Sequence, residues 1–359
     1  MSGKYPGAID CDTHPFPPNT RALLPYLSEY WRDQILNRQI DGGAFHLQSY
    51  PPNSPLTCRA DWRPSEGFPG SDFELFKAQA LDGFGARFAI LNCMHGSIAL
   101  FNEDLSAALV SAVNDWIAAE WLDRDSRLRA SILLPMHNPE TAVREIERLA
   151  HDRRFVGALV PVMGEMPLGR RIYWPIYRAA EKHGLTITMH AGGLYRQAPS
   201  SMGWPSFQVE DYVNQNGAFE NQLVSFVSEG VFHEFPKLTL VCAESGFTWL
   251  PTLLWRFNKT WRGARAETPW VDRRPGDIIR DHVRFTLQPI DAPGDSQKLL
   301  RTLVHMDAED LLLFSTDYPH WQFDGDNAIP EGLPETAARK MMVDNPLAAY
   351  PRLNAEFPR

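Results

Sequence analysis

The sequence has no run of about 20 uninterrupted apolar residues, the length a membrane-spanning helix needs, so no such helix is expected. Cysteine is scarce: Cys11, Cys58, Cys93 and Cys242 are the four present, and no two form a Cys-x-x-Cys pair. Three of them sit in or beside apolar runs, where buried, reduced thiols are expected. Basic charge is in deficit, with 35 Lys and Arg against 44 Asp and Glu and a net charge of −9. With a pI near 5.7 and no basic run, nucleic acid and anionic membrane surfaces are excluded as partners. There is no internal repeat and no low-complexity stretch. The opening segment, residues 1–7, lacks an apolar stretch of the leader type, which makes a cytoplasmic protein the expectation.

What is present is a globular composition, 44% apolar and 22% charged, with a surplus of 29 Pro, 24 Gly and 11 Trp. Pro and Gly at this density belong to long, ordered connections, and so many aromatics must pack or line something. Short apolar runs alternate with amphipathic segments. The strand-like runs are 8–12, 87–91, 128–134, 156–160, 185–189, 238–243, 283–287 and 311–316. Helical spacing is read over 72–83, 104–124, 139–150, 173–183, 219–229 and 248–261. Eight strands separated mostly by helices predict an α/β protein, a closed parallel (β/α)8 TIM barrel spanning 1–359 as one domain. A doubly wound open sheet is the rival, weakened because no Gly-rich phosphate loop follows the first strand. The surplus of Pro, Gly and Trp falls largely in two insertions, 15–70 and 194–217, expected to form a lid and pocket wall over the C-terminal face.

In such a barrel the C-terminal strand ends converge on one face, where the chemistry sits. The first strand ends in Asp10-Cys11-Asp12-Thr13-His14, and side chains at i and i+2 point the same way. Asp12 and His14 therefore form half of a divalent-metal site. The fifth strand ends at His190, the sixth at Glu244 and the eighth at Asp317, each directly after an apolar run. Burying that many unpaired ionisable groups would cost several kcal/mol per ion, which a shared metal would offset. Asp12, His14, His190 and Asp317 are the expected ligands of one divalent ion, with Zn2+ expected and Mn2+ or a similar ion as the alternative. Asp317 and Glu244 are the expected catalytic groups, Asp317 as base toward a metal-activated water. For Glu244, ligand, general acid/base and hydrogen-bonding support of a ligand all stay open.

These motifs resemble the amidohydrolase superfamily, within it the amidohydrolase-related group typified by aminocarboxymuconate-semialdehyde decarboxylase. The residues that carry the resemblance are Ile9-Asp10-Cys11-Asp12-Thr13-His14, Met189-His190-Ala191-Gly192-Gly193, Glu244-Ser245-Gly246-Phe247-Thr248-Trp249-Leu250-Pro251 and Phe314-Ser315-Thr316-Asp317-Tyr318-Pro319-His320-Trp321. Asn345-Pro346-Leu347-Ala348-Ala349-Tyr350 resembles that group's closing helix. The resemblance implies a mononuclear metal barrel enzyme, either a hydrolase or a non-oxidative decarboxylase of a small aromatic or unsaturated carboxylate. The better-known decarboxylases carry a His at the end of strand six, where this chain has Glu244. The type member has His at the first ligand position, where this chain has Asp12. These departures favour a metal-dependent hydrolase of a small cyclic, aromatic or unsaturated carbonyl compound. Decarboxylase is the alternative, in which Glu244 delivers a proton if burial raises its pKa. An inactive barrel serving as a binding protein is the third reading.

Candidate substrate contacts near the strand ends are His95, Arg170, Tyr195, Arg196, Trp249 and His320, with Arg59 and Arg63 in the first insertion as further carboxylate grips. The expected partner is a small-molecule substrate, with homo-oligomerisation common in the resembled group.

Overall fold

A computed structural model describes residues 4–40, 58–292, 295–306, 308–321, 328–330 and 332–354. Eight strands form one parallel sheet in sequence order: β1 Ile9–Thr13, β2 Phe88–Leu91, β3 Leu128–Leu133, β4 Phe155–Met163, β5 Thr186–Gly193, β6 Leu240–Ala243, β7 Val283–Thr286 and β8 Leu312–Leu313. The last strand meets the first through backbone bonds. Cys11 N donates to Phe314 O at 2.9 Å, and Asp317 N donates to Asp12 O at 3.0 Å. This is the expected TIM barrel.

Nearly every strand residue is buried, because one face turns to the barrel interior and the other to the surrounding helices. Ile9, Cys11, Phe88, Ile90, Val156, Val241 and Leu313 fill the interior, with Ala349, Tyr350 and Leu353 from the C-terminal segment packed among them. That segment closes the bottom of the barrel. Arg352 locks it there by donating to the carbonyls of Ala150, Asp152, Phe155 and His183.

The helices of eight residues or more among the described residues are α1 Glu29–Asn37, α2 Glu103–Ile117, α3 Pro139–Leu149, α4 Trp174–His183, α5 Gln208–Glu229, α6 Leu250–Ala264, α7 Pro275–His282 and α8 Ser296–Met306. Local signals explain their ends. Asn102 and Asn138 accept amides of the first turns of α2 and α3, and α4 stops at Gly184 in the left-handed conformation.

Several boundaries differ from the sequence reading. β8 has two residues where 311–316 is read as strand, because Thr316 gives its amide and hydroxyl to the Asp10 carboxylate instead of to a ladder. The last ten residues of the 194–217 insertion are helical: α5 begins at Gln208, started by Glu210, which accepts the amides of Ser206 and Phe207. Helices α1, inside the 15–70 insertion, α7 and α8 are additional to those read from the sequence. In the 15–70 insertion, Arg59 N donates to Pro319 O and the Trp62 ring lies 4.9 Å from that of Tyr318, so this part rests on the turn after β8. Residues 41–57 of that insertion lie outside the described residues.

Candidate metal centre

Among the described residues, two overlapping groups have ligand atoms within 4.8 Å of one another: Asp12, His14 and His190, and His14, Glu244, Asp317 and His320. Asp12 and His14 both reach the cluster from the end of β1, where a register irregularity between Asp10 and Thr13 interrupts the strand's regular alternation. Both histidines are aimed by carbonyls. Nδ1 of His14 donates to Asn92 O at 2.8 Å and Nδ1 of His190 to Ala191 O at 2.7 Å, which leaves each Nε2 facing the cluster. His14 Nε2 lies 2.9 Å from Asp317 Oδ1 and 3.4 Å from Asp12 Oδ1. His190 Nε2 lies 3.4 Å from Asp12 Oδ2.

The donor set fits a divalent cation. With Nδ1 protonated, the lone pair of each Nε2 points at carboxylate oxygens, and only a proton or a metal between them makes that arrangement favourable. Asp12 Oδ2, His190 Nε2 and Asp317 Oδ2 are all buried without a hydrogen-bond partner. Such orphaned atoms are costly unless they coordinate. The electrostatics agree. Burial works against a charge on His14, but the Asp12 and Asp317 carboxylates outweigh it and hold the imidazole up at about 10. Burial likewise raises Asp12 and Asp317, yet the facing imidazoles of His190, His14 and His320 bring both carboxyls below the ordinary range. A metal ion would replace the proton as the positive charge these groups demand.

Glu244 and Asp317 are held in strained backbone. Both have φ of +54°, the left-handed region that non-glycine residues avoid, which costs about 1–3 kcal/mol each. The turn re-aims each side chain into the mouth of the barrel. Glu244 N is pinned to the Thr286 hydroxyl at 2.9 Å. Its carboxylate accepts a hydrogen bond from Tyr212 at Oε1, 2.6 Å, and turns Oε2 toward His190 Nε2 at 3.6 Å and His320 Nδ1 at 3.9 Å. Burial, then the nearby Asp317 charge, raises the Glu244 pKa despite three surrounding imidazoles.

Of the residues read as substrate contacts, the structure brings His320 into the cluster, stacked on His14 and bonded to Asp317 Oδ1 at 2.8 Å. His95 is buried and caps a turn through Ser97, beside the Phe16 ring. Tyr195 donates to Asp211 at 3.1 Å, and Trp249 donates to Ser245 O at 2.9 Å against Phe285. Arg196 is tied to the loops: it donates to Ala99 O, lies over the Phe101 ring and approaches Glu165 at 3.6 Å. Arg170 and Arg63 are exposed outside both ligand groups, and Arg59 pairs with Asp61. Arg59 and Arg196 thus have partners outside the cluster, and Arg170 and Arg63 lie at the surface. Their neighbours were unknowable from sequence.

Two polar residues were missed. Asn92, at the end of β2, donates to Asp12 Oδ1 at 2.8 Å while its carbonyl orients His14. The same strand-end rule that singled out the candidate ligands would have found it. Tyr212 lies within α5 and gave no sequence signal.

A family model described as amidohydrolase matches residues 9–352. A curated relative, the gamma-resorcylate decarboxylase of Rhizobium sp. strain MTP-10005, is 25% identical over 272 residues, covering 70% of this chain and 79% of the relative. A solved 2,6-dihydroxybenzoate decarboxylase from Rhizobium superposes with a TM-score of 0.67 at 18% identity, covering 96% of this chain and 99% of that one. A dihydroxybenzoic acid decarboxylase from Polaromonas sp. JS666, solved with manganese and the inhibitor 2-nitroresorcinol, superposes with a TM-score of 0.66 at 18% identity over 98% of both chains. The expectation of a hydrolase is overturned by these relatives, which are named for decarboxylation. Metal-assisted hydrolysis and decarboxylation call for the same ligand set, so the ligands alone could not separate them.

Proposed function

The chain belongs to the amidohydrolase family, and from that membership we propose that it is a metal-dependent, non-oxidative decarboxylase of a small hydroxylated aromatic carboxylic acid. The observation that carries this reading is the match to the Rhizobium gamma-resorcylate decarboxylase over 70% of the chain, together with a buried group of potential metal ligands at the strand ends. In this reading Asp12, His14, His190 and Asp317 hold one divalent ion. Two carboxylates and two imidazoles suit Zn2+ and Mn2+ alike. When bound, the ion supplies Lewis-acid stabilisation of negative charge on substrate oxygens.

The chain's own groups handle the proton. Decarboxylation breaks the bond between ring carbon and carboxylate, releases CO2 and forms a C–H bond with one proton. Glu244 is the donor: its pKa is raised by burial, and Oε2 faces the cluster. Asp317 stays ionised, below the ordinary range, and serves as ligand and as the anchor of His320.

The test is turnover of gamma-resorcylate and related hydroxybenzoates by metal-loaded protein in D2O. One CO2 per turnover with deuterium on the ring carbon is expected. No CO2 release from any of them, or solvent oxygen entering the product, would overturn the proposal.

A further inference from the structure

Helix α5 has 22 residues, so it is about 33 Å long and the longest of the eight labelled helices. Its later turns are an ordinary barrel helix, with Phe219, Leu223, Phe226 and Val227 buried and Gln222 donating to Val162 O of β4 at 2.7 Å. Its first two turns do something else. Val209 and Val213 face solvent, while the polar Asp211 and Gln215 are buried. Gln215 accepts the Gly192 amide at 2.9 Å, and Asp211 accepts from Tyr195 at 3.1 Å and Gln215 at 3.2 Å. These bonds tie the start of α5 to the end of β5, two residues past His190. From that anchored turn Tyr212 reaches the carboxylate at the end of β6.

We infer that Tyr212 is a positioning residue: its hydroxyl, fixed by the Asp211–Gln215 anchor, binds Glu244 Oε1 and thereby turns Oε2 toward the reacting centre. The inference rests on the reading of Glu244 as proton donor. The geometry is specific. Tyr212 occupies one oxygen at 2.6 Å, and the other is the one that faces His190 and His320. With Tyr212 donating to Oε1, Oε2 is left as the oxygen that carries the transferable proton. Glu244 needs such a tether because its side chain starts from a strained backbone at the rim of the barrel. The family motif around Glu244 therefore does not complete the donor by itself. A residue 32 positions earlier, on a different element, selects which oxygen is presented.

The experiment compares wild type, Tyr212→Phe, Glu244→Gln and the double variant, all metal-loaded, for kcat, KM and metal content. Tyr212→Phe is expected to lower kcat roughly tenfold or more, with KM and metal content held within about twofold. In the Glu244→Gln background the same change should add almost nothing, since the two act as one unit. Tyr212→His, which keeps a ring donor, should recover part of the loss. An unchanged kcat in Tyr212→Phe, or an equal loss in both backgrounds, overturns the inference. A crystal structure of metal-loaded Tyr212→Phe gives a readout without substrate: Glu244 should leave its present orientation, and an unmoved carboxylate contradicts the proposal. If wild type releases no CO2 from hydroxybenzoates, the decarboxylase reading fails while this structural comparison still decides the role of Tyr212.

Discussion

The imidazoles of His14 and His320 stack with centroids 4.5 Å apart and planes 18° apart, and both present a nitrogen to the same oxygen, Asp317 Oδ1. One carboxylate oxygen thus binds two rings, and its partner Oδ2 is left buried with no hydrogen bond. Asp317 joins the metal cluster to the turn after β8, so its charge holds both in place.

Asp317→Asn removes that charge with little change in shape. Turnover is expected to fall by about 10²–10⁴-fold while the far-UV circular dichroism stays that of wild type. Activity retained at more than a few per cent would remove Asp317 from the catalytic set.

His190→Ala deletes a ligand whose Nε2 has no other hydrogen-bond partner. Metal content by elemental analysis should drop to a small fraction of wild type after dialysis without added ion. Full occupancy would exclude His190 as a ligand.

Asn92→Ala keeps the carbonyl that orients His14 but loses the amide on Asp12 Oδ1. Metal affinity should weaken by about 10–100-fold, read by competition with a chelating dye. An unchanged affinity would mean that the ligands orient Asp12 without help.

Glu244 has its pKa raised by burial and by Asp317, and as a donor it works in the protonated form. The sign follows: kcat falls as pH rises through that raised pKa. In Glu244→Gln the rate should be low and this limb absent, with metal retained. A wild-type profile whose alkaline limb survives in Glu244→Gln would assign the limb to another group.

Gly230→Ala tests the scaffold away from the chemistry. Gly230 ends α5 with φ of +84°, and a Cβ there would lie 2.5 Å from the Trp270 ring. A loss of about 1–2 kcal/mol or more is expected from the left-handed backbone alone. The urea midpoint should shift with an unchanged slope, and the folded protein should keep wild-type turnover. An unshifted midpoint would show that the turn relaxes freely.

The sequence by itself determined the barrel and singled out the residues that cluster at its mouth. Periodicity marks the strands, and polar residues directly after apolar runs mark the face where Asp12, His14, His190, Glu244 and Asp317 sit. Strand alternation alone would put Asp10 and Asp12 on one face; the register irregularity between Asp10 and Thr13 separates them, so that Asp12 joins the cluster while Asp10 is spent on Thr316. The reaction was less legible, because a ligand set does not say whether water or a ring carbon receives the next bond. Only the tertiary structure decided which arginines are committed to loops and which ring stacks on His14. It also decided what holds Glu244. Those are contacts between residues far apart in sequence, such as Tyr212 with Glu244 and His14 with Asp317, and no local pattern encodes them. They exist because barrel closure brings the ends of β1, β5, β6 and β8 onto one face, over which the start of α5 is anchored.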